Sequence, residues 1–255
     1  MITPKSWKTL VSEALQELGG AATLQDITAC LEKHPLRPRT ATWQATIRRV
    51  VRQYKIFEPF TSHTGRAGYR LVAATQPEPP KKLDGKDPHG EQQGMLLHLG
   101  MICGYETFTN ATDRTTRSFG GKAISEFTTV RNDAQSLRGL PLPKLRLTDV
   151  IWLGEDAEGL YPRYAFEVEQ STKVKSGLLR LLRIPARYHT VLFIIGRGED
   201  EGRLFERYIS DSPFREHSSR LRFRRYDEVM EFYSAAVGFD GRRTAFGVEL
   251  NSMCS

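Results

Sequence analysis

At 255 residues and 39% hydrophobic, the chain can bury one large core or two modest ones, and no run approaches the roughly 18 uninterrupted apolar residues of a membrane span. The start, Met1 to Lys8, is neither a signal sequence nor a transit peptide, so a soluble, cytoplasmic protein with no membrane partner is expected. Cys30, Cys103 and Cys254 are scattered and lack the paired spacing of a zinc site or a disulfide framework, which leaves reduced thiols. Of the formal charge of +7, residues 1–75 hold nearly all, with 11 Lys and Arg against 5 Asp and Glu; the remainder has 26 against 25. A basic module beside a near-neutral one points to a polyanion reader attached to something else, because phosphate neutralisation drives such binding.

In chain order, Ser6 caps a first helix whose apolar positions Trp7, Leu10, Val11, Ala14, Leu15 and Leu18 follow helical spacing, and Gly19-Gly20 ends it. Thr23 caps a second helix lined by Leu24, Ile27 and Leu31. Pro35 and Pro38 then keep the chain extended until Thr40 caps a third. In that third helix Trp43, Ile47, Val50, Val51 and Tyr54 form a buried stripe. Thr42, Gln44, Arg48, Arg49 and Arg52 are left on the other faces, with Arg39 just ahead of them. Two strands follow, Ile56 to Phe60 and Gly68 to Val72, joined by a segment that carries His63 and Arg66. Three helices and a basic-tipped hairpin is winged-helix order, in which the third helix enters the major groove of double-stranded DNA and the wing follows the backbone. A winged helix used for protein contacts is the competing reading. The stretches SWKTLVSEALQELGG and TLQDITACLEKH resemble the HARE-HTH type of winged helix. That likeness implies a reader of DNA, with modified bases among the candidate targets.

Residues 76–90, with Thr75 in the stretch TQPEPPKKLDGKDPHG, offer no apolar face and are expected to be a linker between a domain at 1–75 and a second at 91–255. The second opens with a helix over Glu91 to Cys103 and a strand over Tyr105 to Thr109; residues 110–146 are expected to be an insertion with one ordered piece at Ala123 to Val130. Val150 to Leu153 and Tyr164 to Val168 are short β-type runs separated by Gly154 to Pro162, hence a hairpin. Symmetric pairing sets Leu153 opposite Arg163 and Asp149 opposite Glu167, and alternation puts Glu169 on the face of Glu167. Three carboxylates converging on one end of apolar strands repel one another unless a cation neutralises them, and a hard divalent ion such as Mg²⁺ fits oxygen ligands. Acids that merely cap strand ends are the bland alternative.

These residues resemble the PD-(D/E)XK nuclease superfamily, and more closely restriction-endonuclease-like proteins, through TDVIWL at 148–153, AFEVE-x-ST at 165–172 and SGLLRL at 176–181. The resemblance spans about residues 91–235. It implies that Asp149 and Glu167 hold Mg²⁺ or Mn²⁺ with the carbonyl of Val168, and that Glu91 supports them through water. Two positions depart from the pattern. Thr148 stands where the superfamily has Pro, and Glu169 where it has Lys. Glu169 can ligate metal or accept a proton from water, and Lys173 or Lys175 are alternative sources of the missing ammonium.

Farther on, Ser176 to Tyr188 is expected to be a helix bent at Pro185 with Arg180, Arg183 and Arg187 along one side. Thr190 to Ile195 and Leu221 to Arg225 are strands, and Glu199 to Ser210 and Tyr226 to Val237 helices. The six histidines show no ligand spacing, and no phosphate loop, nucleophile elbow or HExxH occurs. The expected fold class is therefore α+β or α/β, a winged helix followed by a mixed-sheet nuclease domain. The expected function is site-selective cleavage of double-stranded DNA, with a homodimer where both strands are cut. The alternatives are a cleavage-deficient DNA-binding regulator and an adaptor that binds RNA or a partner.

Overall fold

The computed structural model describes residues 5–35, 42–61, 65–72, 87–131, 145–156, 159–170 and 173–246. Arg39, Thr40, His63, Ser171, Thr172 and most of the expected linker lie outside the described residues.

The N-terminal unit runs α1 (Trp7–Glu17), β1 (Ala21–Thr23), α2 (Leu24–Glu32), α3 (Trp43–Gln53), β2 (Phe57–Thr61) and β3 (Ala67–Leu71). Its ends are set by the residues the sequence marks. The Ser6 hydroxyl accepts from the Thr9 amide at 3.2 Å, and Gly19 and Gly20 adopt φ of 83° and 88°, a region closed to most side chains. Thr23 and Asp26 form a reciprocal capping box at α2. Strand β1 was not expected: three residues are too few for alternation to register, yet they pair with β3 and complete an antiparallel sheet of order β1-β3-β2.

The larger unit contains α4 (Pro88–Ile102), β4 (Glu106–Thr109), α5 (Ala111–Thr116), the short pair β5 (Ser118–Phe119) and β6 (Lys122–Ala123), β7 (Val150–Asp156), β8 (Gly159–Val168), α6 (Val174–Leu181), β9 (Val191–Gly196), α7 (Glu199–Ile209), β10 (Leu221–Arg225) and α8 (Tyr226–Phe246). Its mixed sheet has the order β10-β9-β8-β7-β4, parallel from β10 to β8 and antiparallel from β8 to β4. Alternate residues bury both faces. Ile151, Ala165, Leu192 and Ile194 pack with Leu178, Leu181 and Phe205 of α6 and α7. On the opposite face Val150, Trp152, Phe166 and Val168 pack with Leu96, Leu99, Val229 and Tyr233 of α4 and α8. The fold is thus α+β with a helix-flanked mixed sheet, and among the described residues no helix is long and apolar enough to cross a membrane.

Three expectations are corrected. The hairpin loop is far shorter than Gly154 to Pro162, because β7 and β8 continue outward past a register shift at Trp152/Leu153 that sets Leu153 opposite Pro162. Pro162 lacks an amide to donate, which suits a bulge, and the Tyr161 ring fills the space a side chain at Gly154 would need. Helix α4 starts at Pro88 rather than Glu91, since proline's missing amide costs nothing in a first turn, so the expected linker ends inside a helix. The stretch Ser176 to Tyr188 divides into α6 and a 3-10 turn at Ala186–Tyr188, beyond Pro185.

The two units are joined by more than chain. Tyr54, at the end of α3, forms a β-bridge with Val130. Around it the Lys55 amide donates to the Thr129 carbonyl at 3.0 Å and the Arg131 amide to the Gln53 carbonyl at 2.9 Å. The Arg131 guanidinium reaches the carbonyls of Val51, Arg52 and Phe57 at 3.1, 3.0 and 2.6 Å, satisfying the otherwise orphaned C-terminus of α3. Lys55 Nζ donates to the Ser125 carbonyl and the Thr128 hydroxyl, both at 2.7 Å. Removing the Arg131 donors strands carbonyls at a partly buried seam, so Arg131→Ala is expected to destabilise the chain by about 1–2 kcal/mol in a urea or thermal denaturation experiment.

Candidate active site

Pairing of Val150 with Phe166 and Ile151 with Ala165 continues to a register that sets Asp149 opposite Glu167. The backbone fixes Asp149 from two sides. The Val168 amide donates to its Oδ2 at 2.8 Å, and the Thr109 hydroxyl donates to its carbonyl at 2.6 Å. Just before it, the Thr148 amide donates to the Leu145 carbonyl at 3.0 Å, a bond that a proline at this position would delete. Glu167 is completely buried, and Asp149 and Glu169 are buried at the same end of the sheet.

Sequence reasoning asked for a cation here, and the fold already supplies one that it missed. Arg180 of α6 donates from Nε to Glu167 Oε2 at 2.7 Å and from Nη2 to Glu169 Oε1 at 2.8 Å. It does not sit on a solvated basic face with Arg183 and Arg187. Helix α6 comes this close because residue 177 is glycine: a Cβ there would lie 2.7 Å from Glu169 Oε1 and 2.9 Å from Ile194 Cδ1. A helix offset of three residues from Gly177 brings Arg180 to the same face. Of the two lysines considered as the missing ammonium, Lys173 is exposed at the start of α6, and its charge draws the Glu169 pKa down. Lys175 instead lies over the Tyr208 ring at 5.9 Å.

One arginine does not balance the charge. Burial, with the Asp149 charge next, pushes the Glu167 carboxyl well above the ordinary range despite Arg180. Burial likewise raises Asp149 from 3.8 to about 7, and raises Glu169. Glu167 Oε1 is buried without a hydrogen-bond partner. An orphaned carboxylate oxygen beside a second carboxylate fits a divalent cation held by Asp149 and Glu167.

The first turn of α4 also enters the site. His89 Nε2 lies 3.5 Å from Asp149 Oδ2, and Glu91 is buried two residues on, where its charge adds to the burial that raises the Tyr233 pKa. The sequence marks no histidine as more than a surface or packing residue, and no local spacing links His89 to Asp149. His98 fits that description, buried with Nδ1 2.9 Å from the Tyr233 hydroxyl.

In the N-terminal unit, Gln44, Arg48 and Arg52 are exposed at four-residue intervals on α3, with Thr42 exposed at its N-cap and Arg66 exposed beside β3. Arg49 is half-buried, its guanidinium beside Gly159 at the turn between β7 and β8.

The raised Asp149 pKa has a defined stability signature. The folded state holds its proton up to about pH 7 whereas the unfolded chain releases it near 3.8, so the folded state binds more protons between those values and loses stability as pH rises through them. The metal-free chain should lose on the order of 4 kcal/mol from this group between about pH 4 and 7, and Asp149→Asn should flatten that part of the profile and raise stability at pH 8. Denaturation midpoints across pH check both outcomes.

No curated protein and no solved structure matched the chain. A family model described as the type II restriction enzyme NmeDI C-terminal domain matches residues 72–241, from the residue after β3 into α8. Two thirds of the chain, with the whole carboxylate site, fall within that match. The chain therefore belongs to the NmeDI C-terminal domain family of type II restriction enzymes, a restriction-type, DNA-acting nuclease family.

Proposed function

We propose that the chain is a divalent-metal-dependent endonuclease of the PD-(D/E)XK type, which cuts double-stranded DNA chosen by an N-terminal winged helix. The observation that carries the reading is the convergence of Asp149, Glu167 and Glu169 at one end of β7 and β8, with Glu167 Oε1 buried and unpartnered. Asp149 and Glu167, with the Val168 carbonyl, would hold Mg²⁺ or Mn²⁺. Such an ion polarises a phosphodiester and offsets the negative charge that develops on it. Glu169 is the residue to accept a proton from the attacking water, since a raised pKa brings a carboxylate closer to the useful range of a general base. Arg180 holds Glu167 and Glu169 in register, Lys173 stands at the mouth of the site, and Glu91 supports it from α4.

In this reading the chain comprises a DNA reader at 1–75, a connecting segment at 76–90 and a nuclease domain at 91–255; the family match, over residues 72–241, takes in the connecting segment and most of the nuclease domain. On the reader, Thr42, Gln44, Arg48 and Arg52 face solvent along α3 and suit the major groove, while Arg66 extends the basic surface; His63 and Arg39, proposed as further DNA contacts, lie outside the described residues. Arg49 is the exception, turned to the β7–β8 end. The target is a plain sequence or one that contains a modified base; cutting of matched methylated and unmethylated plasmids separates the two. One carboxylate site per chain makes a homodimer the economical way to cut both strands, in the cytoplasm.

A second reading, a DNA-binding regulator that does not cut, is favoured by one observation: Arg180 already supplies positive charge to both glutamates. Cleavage assays with Mg²⁺ or Mn²⁺ decide between them. Asp149→Ala and Glu167→Gln should each lower the rate at least about a hundredfold while leaving gel-shift affinity intact. Cutting at the wild-type rate by either variant would overturn the proposed site, and metal-independent binding with no cutting by the wild type would favour the regulator. Replacing Arg48 and Arg52 together by Ala should weaken binding across all DNA sequences or relax selectivity, and reduce the slope of log Kd against log salt by about 2 if both touch phosphate.

A further inference from the structure

We propose that His89, Asp113 and Asp149 form a second cation site beside the Asp149–Glu167 pair, built for a borderline transition-metal ion of the Co²⁺, Ni²⁺ or Zn²⁺ class rather than for Mg²⁺. It rests on the reading above only through Asp149, which the two sites share.

One ligand atom from each of the three residues lies within 4.8 Å of the others, and a single ion at ligand distances of about 2.1 Å holds opposite ligands about 4.2 Å apart, so a small side-chain shift brings all three onto one ion. The histidine is the independent indicator. His89 Nε2 is buried without a hydrogen-bond partner, and its nearest acceptor, Asp149 Oδ2, stands 3.5 Å away and already accepts the Val168 amide. A buried ring nitrogen left in this state is costly, and native structures rarely tolerate it without an unseen partner. An ion between the ring and the two carboxylates removes that cost, and also the repulsion between Asp113 and Asp149 that contributes to the raised Asp149 pKa.

The second carboxylate is held as a ligand is held. The Asp113 amide donates to Asn110 Oδ1 at 2.9 Å, and Asp113 Oδ2 accepts from the buried Gln93 side chain at 2.7 Å and from Asn110 Nδ2. Oδ1 forms an ion pair with Arg117 Nε at 3.5 Å. Arg117 in turn donates to Asp87 Oδ1 at 2.7 Å, and Asp87 is the residue at the N-cap of α4, two residues before His89. Thus α4 and α5, which supply two of the three ligands, are tied by an Asp–Arg–Asp chain, and a Cβ at Gly90 would meet Asp87 and the Ser118 carbonyl at 2.4 and 2.7 Å. Such outer-shell support fixes ligand orientation and tunes affinity. The donor set decides the ion. One imidazole with two carboxylates departs from the all-oxygen octahedron Mg²⁺ prefers and suits the later first-row divalent ions, leaving positions for water or a phosphate oxygen.

The test uses the full, tag-free chain without DNA. Titration with Co²⁺, followed by calorimetry and visible absorption, should show binding that His89→Ala and Asp113→Asn each weaken at least about tenfold. Wild-type protein labelled with ¹⁵N-histidine gives a readout free of substitutions: Zn²⁺ should shift the His89 ring resonances and leave those of His98 in place. Unchanged His89 resonances, or equal Co²⁺ affinity in wild type, His89→Ala and Asp113→Asn, would overturn the site. Neither result bears on whether Glu167→Gln abolishes cutting with Mg²⁺, so failure of this inference and failure of the catalytic reading remain distinguishable.

Discussion

The larger unit is organised around a charge that cannot be balanced locally. Glu167 sits completely buried on the central strand of the five-stranded sheet, with Asp149 beside it just ahead of β7 and Glu169 two residues on. In water three such groups cost little; in a dry sheet end they require positive charge at contact distance. Several features of the fold answer that requirement. Gly177 lets α6 approach, Leu178 and Leu181 anchor that helix on the sheet, and Arg180 delivers a guanidinium to both glutamates. Opposite it, the first turn of α4 delivers an imidazole to Asp149. Even so, all three carboxyls remain shifted toward their neutral forms, the electrostatic mark of a site with capacity for more cation.

Much of this was legible in the sequence because it depends on short-range pattern. Alternation along Tyr164 to Val168, extended by one step, places Glu167 and Glu169 on one face, and the pairing that sets Asp149 opposite Glu167 holds because the bulge lies farther out, at Trp152/Leu153. Helix caps at Ser6 and Thr23 and the ends of β10 follow from local chemistry in the same way. What escaped reading depends on tertiary approach. Arg180 has the helical spacing of a solvated basic stripe, and only the glycine three residues earlier hints that its helix packs closely. His89 lies in a Pro-His-Gly stretch whose composition signals a linker, and Asp113 in a Thr-rich segment with no periodicity. Neither carries a local sign that it will meet Asp149, since each is brought there by a helix end rather than by a strand.

The seam between the units has a consequence for how such a protein can be altered. Domain exchange assumes that a reader can be cut at its tether and replaced like a cartridge. Here the end of α3 is threaded into the edge of the other unit by backbone pairing at Tyr54, Lys55 and Gln53, and its last carbonyls are closed by Arg131. A foreign reader spliced in at residue 75 would leave Val130 without its bridge and Arg131 without its acceptors. Compatibility therefore resides in the seven residues Val51 to Phe57, and a chimaera that retains them keeps the joint on which the orientation of α3 depends.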